Sequence, residues 1–152
     1  MSGLSRRTFV SAAMASAVCG HASAQQHAMT GGPRVALKGY DPVSYFTDGK
    51  PEQGLAQFTF AFDDTNYWFK SAEHRDTFAA NPEKYAPQFD GYCAMQLSRG
   101  IKAEADPAVW TITNGKLYVF SKSPAIPKFA QAPSEIAAKA GENWQHLRAA
   151  KN

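Results

Sequence analysis

The clearest structural signal in this chain is a run of β-branched and aromatic residues with Asn-Gly at its centre, Trp110-Thr111-Ile112-Thr113-Asn114-Gly115-Lys116-Leu117-Tyr118-Val119-Phe120. Asn-Gly favours a two-residue type I′ turn, because both central residues of that turn take positive φ angles that asparagine and glycine tolerate. The residues on either side are those that strands prefer. The run therefore predicts an antiparallel β-hairpin.

A second hairpin is predicted closer to the N-terminus. Aromatic and small residues alternate over Phe58-Thr59-Phe60-Ala61-Phe62, the segment Asp63-Asp64-Thr65-Asn66 is typical of a turn, and Tyr67-Trp68-Phe69 returns. Further upstream, the aromatic and β-branched residues of Tyr40-Asp41-Pro42-Val43-Ser44-Tyr45-Phe46 predict the first strand.

Capping residues and periodicity predict the helices. Ser71 is the predicted N-cap of a helix that runs to about Ala80, and the proline of Asn81-Pro82-Glu83-Lys84-Tyr85 starts a short helical turn. Ser134 is the predicted N-cap of a final helix that packs back on the sheet through one apolar face, formed by Ile136, Ala140, Trp144 and Leu147. Periodicity does not separate strand from helix over residues 88–97.

These elements predict a single-domain α+β fold, in which a small antiparallel sheet of hairpins carries two or three packed helices. The sequence shows no evident internal repeat. We expect three parts along the chain: a targeting segment at 1–24, a flexible leader at 25–34 and the folded domain at 35–152, which includes the C-terminal helix.

The first 24 residues are typical of a twin-arginine export signal. Arg6 and Arg7 precede a short apolar run, and Ala22-Ser23-Ala24 forms a small-x-small cleavage site, so we expect cleavage after Ala24. The run is too short and too rich in alanine and serine to span a bilayer. Two alternatives are a mobile N-terminal helix and a lipoprotein anchored at Cys19. The main interpretation predicts a periplasmic or secreted protein, without stable membrane insertion after cleavage.

Charge and cysteine content limit the functions to be expected of the exported form. Removing Arg6 and Arg7 leaves 14 of the 16 basic side chains against 13 acidic ones, so nucleic acid is not an expected partner. Cys19 leaves with the signal, and Cys93 then remains as the only cysteine in an oxidising compartment, where cysteines normally pair. Cys93 is therefore either a small buried hydrophobe or a ligand, reactive thiol or intermolecular disulfide.

Three motifs resemble the YHS domain. They are Asp41-Pro42-Val43, Tyr67-Trp68-Phe69-Lys70-Ser71-Ala72-Glu73-His74-Arg75-Asp76-Thr77-Phe78 and Asn81-Pro82-Glu83-Lys84-Tyr85, in the order and spacing of that family. The flanking sequence, with Gly91-Tyr92-Cys93-Ala94 and the Asn-Gly hairpin, is similar to the exported stand-alone branch. The resemblance implies heavy-metal handling, notably of copper.

The sequence departs from the metal-binding relatives at the ligands. Where those relatives place thiols, this chain has Ser44, Lys70 and His74, which excludes a zinc site of the same construction. Three soft or borderline donors remain: Cys93, His74 and Met95. Thiolate and thioether suit Cu(I), and imidazole accepts copper in either common state, so we expect a small copper-associated binding protein. The plainer roles are a hydrogen-bonded histidine for His74 and a core residue for Met95.

Two other classes remain open. Cys93 is a candidate nucleophile or redox-sensing thiol activated by His74, although no Cys-x-x-Cys, His-Glu-x-x-His, Gly-x-Ser-x-Gly or phosphate-loop motif supports an enzyme. The third class is a non-metal domain that binds a small apolar ligand or a partner in an aromatic groove. The aromatic side chains that would line the groove, and that otherwise form the core, are Tyr45, Phe46, Trp68 and Tyr92.

Overall fold

The computed structural model describes residues 34–149, so the predicted export signal and nearly all of the predicted leader lie outside the described residues. It confirms the α+β class. The helices are α1 (Ser44–Thr47), α2 (Ala72–Ala80), α3 (Pro82–Tyr85), α4 (Ala94–Leu97), α5 (Ala125–Gln131) and α6 (Pro133–Leu147). The strands are β1 (Leu55–Phe62), β2 (Thr65–Phe69), β3 (Asp106–Thr113) and β4 (Lys116–Phe120). Across residues 34–149, no helix is long and apolar enough to cross a membrane.

Both predicted hairpins are present, and each forms its own two-stranded antiparallel sheet, β1–β2 and β3–β4. Asn114 and Gly115 have φ angles of 53° and 72°, which confirms the predicted positive-φ turn. The first hairpin turns at Asp63 and Asp64, whose φ angles of 52° and 61° are also positive. Both turns therefore have two central residues with positive φ, but only the second has a glycine there, which adopts positive φ without a steric penalty.

The strand predicted at residues 40–46 is wrong. Tyr40 makes only an isolated bridge to Gln53, and the chain then enters helix α1 at Ser44. The reason is the side chain of Asp41, whose Oδ1 accepts the backbone N–H of Val43 at 2.8 Å and so holds the chain in a tight turn. This local hydrogen bond overrides the strand preference of the aromatic residues.

The helix predictions are confirmed in part. The Ser71 side chain caps α2 and α3 begins at Pro82, both as expected, and the Asn81 side chain caps α3. The last helix begins at Pro133 without a side-chain cap, so the predicted Ser134 cap is wrong. Its buried face packs chiefly against α4 instead of a sheet. Residues 88–97, which the sequence left undecided, form a left-handed turn at Gln88–Gly91 followed by α4.

Residues 36–85 and residues 88–147 are two copies of one structural unit, here called the first and second repeats. Each begins with a left-handed turn, continues through a single-turn helix and a hairpin, and ends with two helices. In both hairpins the first residue of one strand pairs with the last residue of the other, and the register then shifts once at the same point. This duplication was not predicted from the sequence.

The core repeats as well. In the first repeat Phe78 of α2 packs on Tyr67 of β2, with ring centroids 4.9 Å apart. In the second repeat Phe129 of α5 packs on Tyr118 of β4 at 4.7 Å. All four rings belong to one core cluster that both repeats share, and Tyr45 is buried in it too, so this member of the predicted aromatic groove is a core residue. Equivalent positions in the two repeats can therefore be compared directly.

Candidate functional site

A buried carboxylate organises the first repeat. Asp41 is 0% exposed, and its Oδ2 accepts the backbone N–H of Lys70, the residue that follows β2, at 3.0 Å. The same oxygen lies 2.7 Å from Nδ1 of His74. Because its Oδ1 also accepts the N–H of Val43, the carboxylate joins the left-handed turn, the end of the hairpin and the start of α2.

His74 is held in place by its surroundings. Its backbone N–H donates to the Ser71 cap, and its side chain is only 13% exposed. A carboxylate acceptor at Nδ1 favours the tautomer with its proton on that nitrogen, and it fixes the ring plane. Lys70 turns its ammonium away to pair with Asp48, which raises the pKa of Lys70 and lowers that of Asp48 through their hydrogen bond. The contacts of Asp41 with Lys70 and His74 therefore hold the end of β2 and the start of α2 together.

Cys93 occupies the position of Asp41 in the second repeat. Each follows the glycine-tyrosine pair that ends a left-handed turn. The Sγ atom of Cys93 accepts the backbone N–H of Ser121, the residue that follows β4, at 3.2 Å. Cys93 is free and 1% exposed. The thiol therefore takes the place of the carboxylate, with the equivalent backbone donor.

A cavity of about 220 Å³ opens beside Cys93, and its wall includes Met95, Ser121 and Ala125. Ala125 stands where the first repeat has His74, since Phe129 and Phe78 align the two helices. A methyl group thus stands beside the thiol where an imidazole ring stands beside Asp41 in the first repeat. The cavity is consistent with a missing ring.

The structure brings together two of the three predicted ligands. Cys93 and Met95 line the same cavity, whereas His74 is not among its lining residues and belongs to the Asp41 cluster. Within residues 34–149, no three His, Cys, Asp or Glu side chains lie close enough to hold a metal ion. A soft metal ion in this cavity would be held by the sulfur atoms of Cys93 and Met95.

Sequence reasoning missed two groups of residues. Asp41 belongs to one of the motifs, but it was not predicted to be the partner of His74. The segment around Asp41 was predicted to be a strand, and that prediction gave no reason to expect a contact with the helix of His74. The cations Arg99, Lys122 and Lys128 also line the cavity. They come from separate segments of the second repeat. Aligning the two repeats in sequence would have shown that Lys122 and Lys128 replace the neutral residues Ser71 and Thr77.

A second cavity of about 360 Å³ lies between the repeats, where Arg34, Asp90 and Tyr92 contribute to its wall. Arg34 pairs with Glu104, donates to the backbone carbonyl of Asp90 and stacks 4.0 Å from the centre of the Tyr92 ring. Burial raises the pKa of Asp90. Two of its cations are paired, Arg34 with Glu104 and Arg148 with Asp63, which gives the cavity the character of a structural junction.

No protein-family model matches the chain, and neither a curated protein nor a solved structure matches it.

Proposed function

We propose that the protein is an exported, YHS-like binding protein for a soft metal ion, and that Cu(I) is held in the cavity of the second repeat. The observation that carries the proposal is that Cys93 and Met95 line one cavity. Two sulfur donors without a nearby carboxylate favour Cu(I) over the hard divalent ions. The resemblance of the first repeat to YHS domains implies the same kind of cargo.

The surroundings of the thiol support this role. Ser121 donates its backbone N–H to Sγ at 3.2 Å, and such a hydrogen bond orients a metal thiolate and stabilises its charge. Cys93 is 1% exposed, so a metal ion would reach its thiol through the cavity. A site with two sulfur ligands suits Cu(I), which accepts low coordination numbers, and it suits a metal that is bound and passed on.

The test is a Cu(I) titration of the reduced protein that begins at Gln25, in competition with a colorimetric chelator. We expect about one equivalent to bind. Cys93→Ser should abolish most of the binding, because it exchanges a soft thiolate for a hydroxyl at nearly constant volume, and Met95→Leu should weaken it by removing the thioether. His74→Gln is the matched control, since it keeps a donor for Asp41 and removes the imidazole from the other repeat.

Each outcome decides between classes when the fold is checked by circular dichroism. Loss of Cu(I) in Cys93→Ser with an unchanged His74→Gln control supports the metal site. Absence of Cu(I) binding, with rapid alkylation of Cys93, would replace it with a reactive-thiol function. A thiol that neither reacts nor binds Cu(I) would show that Cys93 is a structural residue of the core.

Export is a separate part of the proposal. Replacing both Arg6 and Arg7 with lysine should leave precursor in the cytoplasm, because the arginine pair is what the export route recognises. Mature protein that still reaches the periplasm in this variant would refute the twin-arginine assignment.

A further inference from the structure

Three positively charged side chains line the cavity beside Cys93, and no aspartate or glutamate does so. Arg99 follows α4, Lys122 follows β4 and Lys128 lies on α5, so three segments converge on one opening. All three side chains are exposed, whereas Cys93 lies buried at the inner wall. The cations therefore form the rim of the cavity and the thiol forms its floor.

These cations also lack acidic partners, whereas several other cations of the protein have one. Arg34, Lys50, Lys70, Lys139 and Arg148 each pair with a carboxylate. Across the part of the chain that the structure describes, none of the three rim cations takes part in an ion pair. Positive charges that line one cavity without acidic partners favour the binding of an anion there.

The first repeat shows that the fold does not require this charge. Its equivalents of Lys122 and Lys128 are the neutral residues Ser71 and Thr77, and its equivalent of Cys93 is the acidic Asp41. The second repeat therefore has a thiol and two lysines where the first has a carboxylate and two neutral side chains, and it has Ser121 where the first has Lys70. Because the backbone framework is the same, the fold of a repeat does not depend on lysine at these two positions.

We infer that the rim of this cavity binds a small molecule with two or more negative charges, carried by phosphate or carboxylate groups. The arginine offers a planar pair of donors that matches either oxyanion, and the lysines add charge-assisted hydrogen bonds. This inference goes beyond the proposed metal site, since it concerns the rim and requires neither the thiol nor a metal.

The test is calorimetric titration of reduced, metal-free protein with citrate and, separately, with inorganic phosphate. Lys122→Gln/Lys128→Gln should weaken binding by about tenfold or more, because it removes two of the charge-assisted contacts. The matched control is Lys116→Gln/Lys139→Gln, which changes the net charge equally at exposed lysines outside the cavity wall. Binding should also weaken as salt is raised, since exposed charges are screened.

Cys93→Ser separates this inference from the metal proposal, because it should abolish Cu(I) binding and leave anion binding unchanged. Binding of citrate alone would identify carboxylates as the ligand class, and binding of phosphate alone would identify phosphates. The inference is overturned if neither anion binds at concentrations up to about 10 mM. It is equally overturned if the control pair weakens binding as much as the rim pair does.

Discussion

In the first repeat, residues 36–85, a buried carboxylate meets an imidazole, whereas in the second, residues 88–147, a buried thiol at the same position faces a cavity. The backbone donors are equivalent: Lys70 donates to Asp41 at 3.0 Å, and Ser121 donates to Cys93 at 3.2 Å. What differs is the next side chain, His74 in one repeat and Ala125 in the other.

This difference shows how one framework divides two tasks. In the first repeat the buried polar group satisfies its hydrogen bonds within the protein, which stabilises the junction between turn, hairpin and helix. In the second repeat the same junction is held by an N–H···S contact, and a cavity lies beside it. We therefore expect the Asp41 cluster to contribute more to stability than Cys93 does, and the Cys93 cavity to be the proposed binding site.

The largest effect should follow from removing the buried carboxylate. Asp41→Ala leaves the N–H groups of Val43 and Lys70 and the ring of His74 without their acceptor, and should lower the free energy of unfolding by about 3–5 kcal/mol. Cys93→Ala removes only a weak acceptor and a small buried volume, and should cost about 1–2 kcal/mol. Urea unfolding measures both. Equal costs would contradict the division of tasks.

The two hairpin turns give a smaller pair of effects with opposite signs. Gly115→Ala should cost about 1 kcal/mol, because it places a side chain at a φ of 72°, and no neighbouring atom would contact the new Cβ. Asp64→Gly at a φ of 61° should instead stabilise the first hairpin, by about 0.5 kcal/mol. Thermal unfolding measures the two shifts. Changes of the same sign would show that strain is not what distinguishes these turns.

The smallest effect concerns the left-handed turns, where Asp90 occupies the position that Lys38 has in the first repeat. Burial raises the folded pKa of Asp90 above its unfolded value of about 4, so its charged form destabilises the fold at neutral pH. The penalty is lost as pH falls through the raised pKa. Asp90→Asn should therefore stabilise the protein at pH 7, by less than about 1 kcal/mol, and lose its advantage on acidification.

Lys38→Asn is the control for that pH dependence, since it introduces asparagine at the equivalent but exposed position of the first repeat. Its effect on the free energy of unfolding should stay constant between neutral and mildly acidic pH. A constant difference between Asp90→Asn and the original protein over the same range would contradict the role given to burial.

Local signals predicted much of the fold. The Asn-Gly turn, the Ser71 cap and the helical turn that starts at Pro82 are short-range features, and each lies where it was predicted. The predicted strand at 40–46 failed because propensity does not register the hydrogen bonds that Asp41 makes to its own neighbours. The duplication escaped notice because few residues are identical between the repeats. The identical pairs include Gly39/Gly91, Tyr40/Tyr92, Tyr67/Tyr118, Phe69/Phe120, Phe78/Phe129 and Pro82/Pro133.

The candidate site was predictable only in part. Cys93 and Met95 are two residues apart in sequence, and their shared cavity agrees with the grouping that the sequence suggested. His74 was grouped with them by donor type alone, and donor type does not reveal which repeat a residue serves. The rim cations and the partnership of Asp41 with His74 depend on contacts between distant segments, which local patterns do not encode.

The central claim is that the cavity is the space that an imidazole fills in the other repeat, and a double-mutant cycle of Cys93→Asp and Ala125→His tests it most directly. Cys93→Asp alone buries a carboxylate without its histidine partner and should destabilise the protein strongly. Adding Ala125→His recreates the contact that joins Asp41 and His74 at 2.7 Å. Urea unfolding should show a favourable coupling of about 2 kcal/mol between the substitutions. Costs that add to within about 0.5 kcal/mol would contradict the account.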